Sequence, residues 1–279
     1  MNIIVKPNTK KIKDYINAGC NAFILCLENF SCFTKVTFSL DDISKIISNN
    51  DVSVYVSIDK HIFNEDLDDL RKVLLKLNDM NIKGLFFYDL SILKLKKDLK
   101  LKFDLIWSPN FLVTNYKTCN FYHDLGVSGV TISNCILASD IEKILSNVNF
   151  KCFVWAFGYQ LMSVSDRNLV SNYFSEVKEK NSRNKHYMIE DDRKFEIVET
   201  DICTFTLSDK IFDISLYLEK LKKYAPYLIL DEISVAHNKF LSVLKLYNLD
   251  LVSPKEIESI VGKTSTYFLN TNTIVKVKR

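Results

Sequence analysis

Only six glycines occur in 279 residues, and no G-x-G-x-x-G or G-x-x-x-x-G-K-[ST] follows any strand-like run. The dinucleotide-binding and phosphate-cradling readings therefore lose the glycine turns that let backbone approach a phosphate. H-E-x-x-H is missing, which removes the helical zinc-peptidase motif, and G-x-S-x-G is missing, which removes the serine-hydrolase elbow. There is no C-x-x-C pair. The seven cysteines (Cys20, Cys26, Cys32, Cys119, Cys135, Cys152 and Cys203) are odd in number, which argues for reduced thiols and against a disulfide framework. The spacing of Cys20, Cys26 and Cys32 matches no standard zinc pattern, so no metal site is expected. No apolar run is long enough to span a bilayer, and the first one is closed off by Pro7 and Lys10 before it could form a signal core. A cytoplasmic chain with no membrane partner is expected. The formal net charge of +3 with 25% charged residues describes an ordinary surface, with no electrostatic mandate for nucleic acid.

What is present is a rhythm of short apolar runs. NIIV (2–5), AFILCL (22–27), VSVYVSI (52–58), GLFFY (84–88), LIWS (105–108), GVTIS (129–133), CFVWAF (152–157) and YLILDE (227–232) are continuous rather than alternating. Strands buried on both faces, as in a helix-covered parallel sheet, need that pattern. Between them lie helical segments at 9–18, 40–48, 65–80, 115–125, 139–145, 212–224 and 235–247. Ser39 is placed as an N-cap with Asp41 and Asp42 in the first turn. Eight strands alternating with helices predict an α/β fold, a (β/α) TIM-like barrel over residues 1–251. An open doubly wound sheet is the alternative. Residues 252–279 read as a tail, with TIVKVKR at its end as a small edge strand or a basic tip.

The rhythm breaks after Phe157. The stretch FGYQLMSVSDRNLVSNYF opens a long insert, 158–210, between the seventh and eighth strands. HYMIE and FEIVET around DDRK read as a β-hairpin, with CTFTLSD as a further strand. Insertions at that end of a barrel strand hang over the active-site face, so the insert is placed over the barrel mouth.

Several segments then agree in order and spacing: NAFILCLENFSCFTKVTFSLDDISKI, FFYDLSIL, TNYKTCNFYHDLGVSGVTISN, FGYQLMSVSDRNLVSNYF and HYMIEDDRKFEIVET. Together they resemble the collagenase-like peptidase family, peptidase family U32, in its short members without the extra C-terminal domain. The resemblance implies a β/α barrel. It implies one of two activities: proteolysis, or the hydroxylation of tRNA uridine, ribosomal RNA or quinone precursors by paralogous pairs that often carry an iron–sulfur cluster on four cysteines. The chain departs from the family pattern in three places. Arg167 and Asn168 stand where cluster-bearing members have cysteine just before L-x-S, so no iron–sulfur cluster is expected. Ser133, Asn134 and Cys135 replace S-R-E, and Phe157-Gly158 replaces His-Gly. A peptidase of doubtful catalytic competence, or a catalytic or non-catalytic subunit of a tRNA-hydroxylating pair, is what the resemblance leaves. The expected partners are a paralogous subunit and tRNA.

Polar residues at C-terminal strand ends converge on a barrel mouth. Glu28, Asn29, Asp59, Tyr88, Ser133, Asn134 and Tyr159 stand at such ends, and Asn115 stands at the T-N helix start. Asp231 and Glu232 close the last strand. Asp89 and Glu232 are chosen as the carboxylate pair for general acid–base work, which needs one raised pKa. Arg167 and Asn172 in the opening stretch are candidates for an anion or nucleotide. The same stretch could instead dock the insert through Leu161, Met162, Leu169 and Val170. Cys135 lacks an identifiable histidine base and reads as a passive thiol. The basic run 94–102 either meets RNA phosphates or forms the outer face of a barrel helix.

Overall fold

The computed structural model describes residues 1–182 and 184–271. Its strands are β1 (Asn2–Lys6), β2 (Ala22–Cys26), β3 (Ser53–Ile58), β4 (Gly84–Phe87), β5 (Asp104–Trp107), β6 (Gly129–Ile132), β7 (Lys151–Ser165), β8 (His186–Glu190), β9 (Arg193–Glu199), β10 (Thr204–Asp213) and β11 (Tyr227–Asp231). The helices are α1 (Ile12–Asn17), α2 (Leu40–Asn49), α3 (Leu67–Asp79), α4 (Ser91–Leu99), α5 (Tyr116–Asp124), α6 (Ala138–Leu145), α7 (Leu169–Glu176), α8 (Leu218–Leu221), α9 (His237–Asn248) and α10 (Pro254–Val261). Strands β1 to β7 pair in order and in parallel, and β11 closes the ring by pairing with both β7 and β1. This is a TIM barrel of eight parallel strands, and the open-sheet alternative falls.

The continuous apolar runs follow from two cores. One face of each strand packs against the helices. The other fills the barrel with Ile4, Ile24, Tyr55, Phe86, Ile106, Phe153 and Ile229. The Ser39 cap is present as a capping box: its hydroxyl accepts from the Asp42 N–H at 3.1 Å while the Asp42 carboxylate accepts from the Ser39 N–H. The basic run 94–102 covers most of α4 and its exit, and Lys94 pairs with Asp98 one turn on at 2.7 Å, an outer helix face.

Three elements differ from the sequence reading. The seventh strand does not stop at Phe157. It is 15 residues long in all and runs on to Ser165, exchanging its parallel partner β11 for the antiparallel β10 at Phe157 and Gly158. Its polar half, YQLMSVS, looks like loop because one side carries Gln160 and serines. The helix placed at 212–224 does not form as one element. Phe212 is held in β10 opposite Gly158, and the Asp213 carboxylate then accepts from the Ser215 N–H and hydroxyl at 2.9 and 2.7 Å. Only short turns and α8 follow. Part of the tail is ordered: Ser253 caps α10, with Pro254 at its first turn, and Ser265 exchanges backbone bonds with Ile211 and Asp213. TIVKVKR lies outside the described residues.

The hairpin of the insert is present, turning at Asp191 and Asp192, both with positive φ. It extends the barrel sheet in the order β7-β10-β9-β8. The insert rests on the mouth through a small separate core of Cys32, Val198, Cys203, Phe205, Leu207 and Ile233. Of the docking residues read from sequence, Val170 is buried and Leu161 is packed against this core, whereas Met162 and Leu169 are exposed.

Candidate active site at the barrel mouth

Strand alternation decides what reaches the mouth. In β1 the inward residue after Ile4 is Lys6, in β11 the one after Ile229 is Asp231, and the two are register partners. Lys6 Nζ donates to Asp231 Oδ2 at 3.2 Å and to the Phe33 carbonyl at 2.6 Å, and both side chains are buried, at 7% and 6% exposure. Asp231 Oδ1 accepts from the Ile233 N–H at 2.9 Å. Across the floor, Asp59 Oδ1 accepts from the Cys32 and Phe33 N–H groups at 2.5 and 3.4 Å, and Oδ2 from the Ser57 hydroxyl at 3.2 Å. Burial works against the Lys6 charge, but the carboxylates of Asp231 and, further off, Asp59 override it and hold the ammonium above its ordinary range. Burial pushes Asp231 upward, with Lys6 opposing.

Aromatic rings form the walls of this pocket: Phe33, Phe86, Phe111, Trp155, Phe205 and Phe212. The insert roofs it with Gln160, Leu161, Phe205 and Leu207. Gly158 is the joint between wall and roof. Its φ is +132°, and a Cβ there would meet the Asp231 carbonyl oxygen at 2.5 Å. Gly158→Ala is therefore expected to cost at least about 2 kcal/mol, from positive-φ strain plus displacement of the Asp231 backbone. A urea denaturation midpoint equal to that of the wild type would contradict this placement.

The structure sorts the residues named from sequence. Asp59, Asn134 and Tyr159 line the pocket. Asp89 and Glu232 do not form a pair, which corrects the choice of carboxylates. They follow β4 and β11, four strands apart around the ring. Asp89 Oδ1 accepts from the Ser91 N–H at 2.8 Å, at the start of α4. Glu232 is one residue out of phase with Asp231 and faces the helix layer, at 1% exposure. There it accepts from the Tyr15 hydroxyl, from the Asn8 N–H at 2.7 Å and from His237 Nδ1 at 2.6 Å, and His237 Nε2 reaches Asp14 at 3.1 Å.

Glu28 and Asn29 line a separate groove with Lys35, Glu196 and Glu199. Tyr88 stacks edge-on with His61. Asn115 caps α5 by accepting from the Thr118 N–H at 2.9 Å, and the buried Ser133 hydroxyl accepts from the Cys135 N–H at 3.2 Å, so both are turn-forming residues. Arg167 and Asn172 are exposed on the insert, away from the residues of the mouth.

Lys6, Trp155 and Gln160 were missed. The signal for Lys6 was present: counting by twos from the buried Ile4 puts it on the inner face.

An iron–sulfur cluster does not fit these residues. Among the described residues no group of three or more His, Cys, Asp or Glu could hold a metal ion. Cys203 Sγ lies 3.6 Å from the Cys32 carbonyl oxygen, a two-residue contact within the insert core. Burial pushes the Cys26 thiol up to about 12 and raises Cys135 as well. No helix among the described residues is long and apolar enough to cross a membrane.

Comparison with known proteins agrees with this architecture. The model of "Peptidase family U32" matches residues 7–251. Among curated proteins, tRNA hydroxylation protein P2 of Bacillus subtilis (strain 168) is 24% identical over 251 residues, 81% of each chain. tRNA hydroxylation protein P1 of the same strain is 20% identical over 172 residues, 60% of this chain and 41% of that one. Among solved structures, a U32 peptidase superposes with a TM-score of 0.54 at 12% identity, covering 83% of this chain and 92% of that one.

Proposed function

The chain belongs to peptidase family U32, and from that premise we propose that it acts in the hydroxylation of tRNA uridine, as the member of a paralogous pair that receives the nucleoside. The observation that carries the reading is the barrel mouth. It combines a buried Lys6–Asp231 pair with aromatic walls, the setting in which a flipped base is stacked and hydrogen-bonded by its edge. The similarity to P2 runs over four-fifths of both chains, and a second protein of that strain named for tRNA hydroxylation is also similar. This supports a paralogous chain as the partner and tRNA as the substrate, in the cytoplasm where tRNA is found. The peptidase reading comes from the family resemblance; Asp89 and Glu232, the carboxylates chosen for acid–base work, sit four strands apart and are engaged in other hydrogen bonds, so they lend it no support.

The test is nucleoside mass spectrometry of bulk tRNA from a strain lacking the gene. Hydroxylated uridine is expected to fall, and to return when the intact gene is restored. Unchanged nucleosides, in a strain with no other route to the modification, would sink the reading.

A further inference from the structure

We propose that the outer edge of β8 is an interface between two copies of this chain, paired as antiparallel strands about a two-fold axis beside Met188. The proposal is independent of the nucleoside reading, since none of residues 186–190 lines the mouth pocket.

β8 ends the sheet. It pairs with β9 on one side, in register and without a bulge, and with no strand on the other among the described residues. Natural edge strands are usually blunted by proline, bulges or inward-pointing charge. This one exposes Tyr187, Met188 and Ile189, at 39%, 44% and 74%. Beside them Val164, Leu169 and Tyr173, also exposed, line the same groove. Apolar surface around an open edge marks a place where another chain adds a strand.

The hairpin decides which backbone groups point outward. Asp191 and Asp192 have φ of +46° and +63°, so the turn is of type I′ and closes on a bonded Glu190–Arg193 pair. Bonding alternates along an antiparallel ladder. Glu190, Met188 and His186 therefore turn their N–H and C=O groups toward β9, and Tyr187 and Ile189 turn theirs to the open side.

Charge then selects the occupant. The edge reads KHYMIED over 185–191, basic at one end and acidic at the other. An antiparallel second copy centred on Met188 sets Lys185 against the partner's Asp191 and His186 against the partner's Glu190, and symmetry repeats both pairs. Tyr187 meets the partner's Ile189, and these are the residues whose outward N–H and C=O groups are free to bond across the axis. A slip of one residue breaks this bonding phase. A slip of two sets Lys185 against the partner's Ile189 in one direction, and Tyr187 against the partner's Asp191 in the other. A parallel copy would set like charges side by side. The contact is isologous, so it closes as a dimer and does not propagate as a filament.

The experiment is analytical ultracentrifugation of the purified full chain up to about 100 μM, a range that captures small interfaces, with thermal unfolding of each variant alongside. The wild type is expected to dimerise. Lys185→Glu, at an exposed position before β8, should raise the dimer Kd about tenfold by turning two attractive pairs repulsive. The double variant Lys185→Glu/Asp191→Lys restores opposite signs and should return the Kd to within about threefold of the wild type.

Register is read by cross-linking under mild oxidation. The native cysteines are buried or half-buried. Across the axis the two copies of residue 188 face each other with Cα atoms about 4.5 Å apart, within disulfide reach. Those of residue 189 stand roughly 8 Å apart, beyond it. Met188→Cys should therefore form a covalent dimer and Ile189→Cys should not. A wild type that stays monomeric throughout the range overturns the proposal. So does a dimer that Lys185→Glu leaves unchanged, or one in which Ile189→Cys cross-links and Met188→Cys does not. Cross-linking of Met188→Cys in cells to a different polypeptide, with no self-pairing in vitro, would give the edge to another partner and overturn it as well.

Discussion

Replacing Lys6 with methionine is expected to abolish uridine hydroxylation in cells and to destabilise the barrel by about 3–5 kcal/mol, the usual effect of removing one partner from a buried ion pair. The reason is local. Asp231 would keep its place at the end of β11 with only the Ile233 N–H for company, in a pocket that already holds Asp59. Methionine replaces the aliphatic stem but not the charge. In a chain of this size the loss corresponds to roughly 10 °C of melting temperature. The double variant Lys6→Met/Asp231→Asn separates the two effects. It should recover much of the stability, since the orphaned charge is gone, and none of the hydroxylation. A Lys6→Met protein that melts with the wild type and restores hydroxylated uridine to a deletion strain would remove Lys6 from both roles.

The second large effect is expected from Glu232→Ala. This carboxylate joins the end of β11 to α1 through Tyr15, to the β1–α1 turn through Asn8, and to α9 through His237. Alanine would strand these donors in the helix layer, at a cost of about 3 kcal/mol or more. The same cluster gives stability a pH dependence whose sign follows from His237. Burial disfavours the imidazolium, but Glu232 and Asp14 outweigh burial and raise its pKa above the ordinary 6.5. A group whose pKa is raised by folding stabilises fully below its unfolded value. That contribution fades as pH climbs through the folded value. Urea midpoints measured from about pH 6 to about pH 9 should therefore fall more steeply in the wild type than in His237→Gln. Parallel profiles for the two proteins would show that the imidazolium adds nothing.

These outcomes bear on how far the sequence could be read. Runs such as NIIV and YLILD could be assigned as strands because burial on both faces leaves no polar interruptions. Eight of them, with helices between, specified the barrel. Choosing Glu232 over Asp231 failed for a reason of phase. Both stand at a strand end, and only one side of a pleat faces the barrel axis. The register pairing of Lys6 with Asp231 fixes that phase, and it becomes visible once Ile4 and Ile229 are known to face inward. Gln160 was hidden differently. The half-strand YQLMSVS carries too few β-branched or aromatic residues to announce itself, and its conformation is imposed by β10, some forty residues later in the chain. Asn115 and Ser133 were overvalued because a cap or turn residue and a binding residue draw on the same polar side chains.

The unbroken run of β7 from barrel wall to roof has a mechanical consequence. Most TIM-barrel covers are loops that swing on flexible ends. Here the cover is laced into the barrel's own ladder, by parallel bonds below Gly158 and antiparallel ones above it. Below Gly158 the same strand pairs with β11, the strand that presents Asp231, so roof and wall share one continuous main chain. The roof and the floor of the pocket share that strand and are expected to unfold together, as one cooperative block.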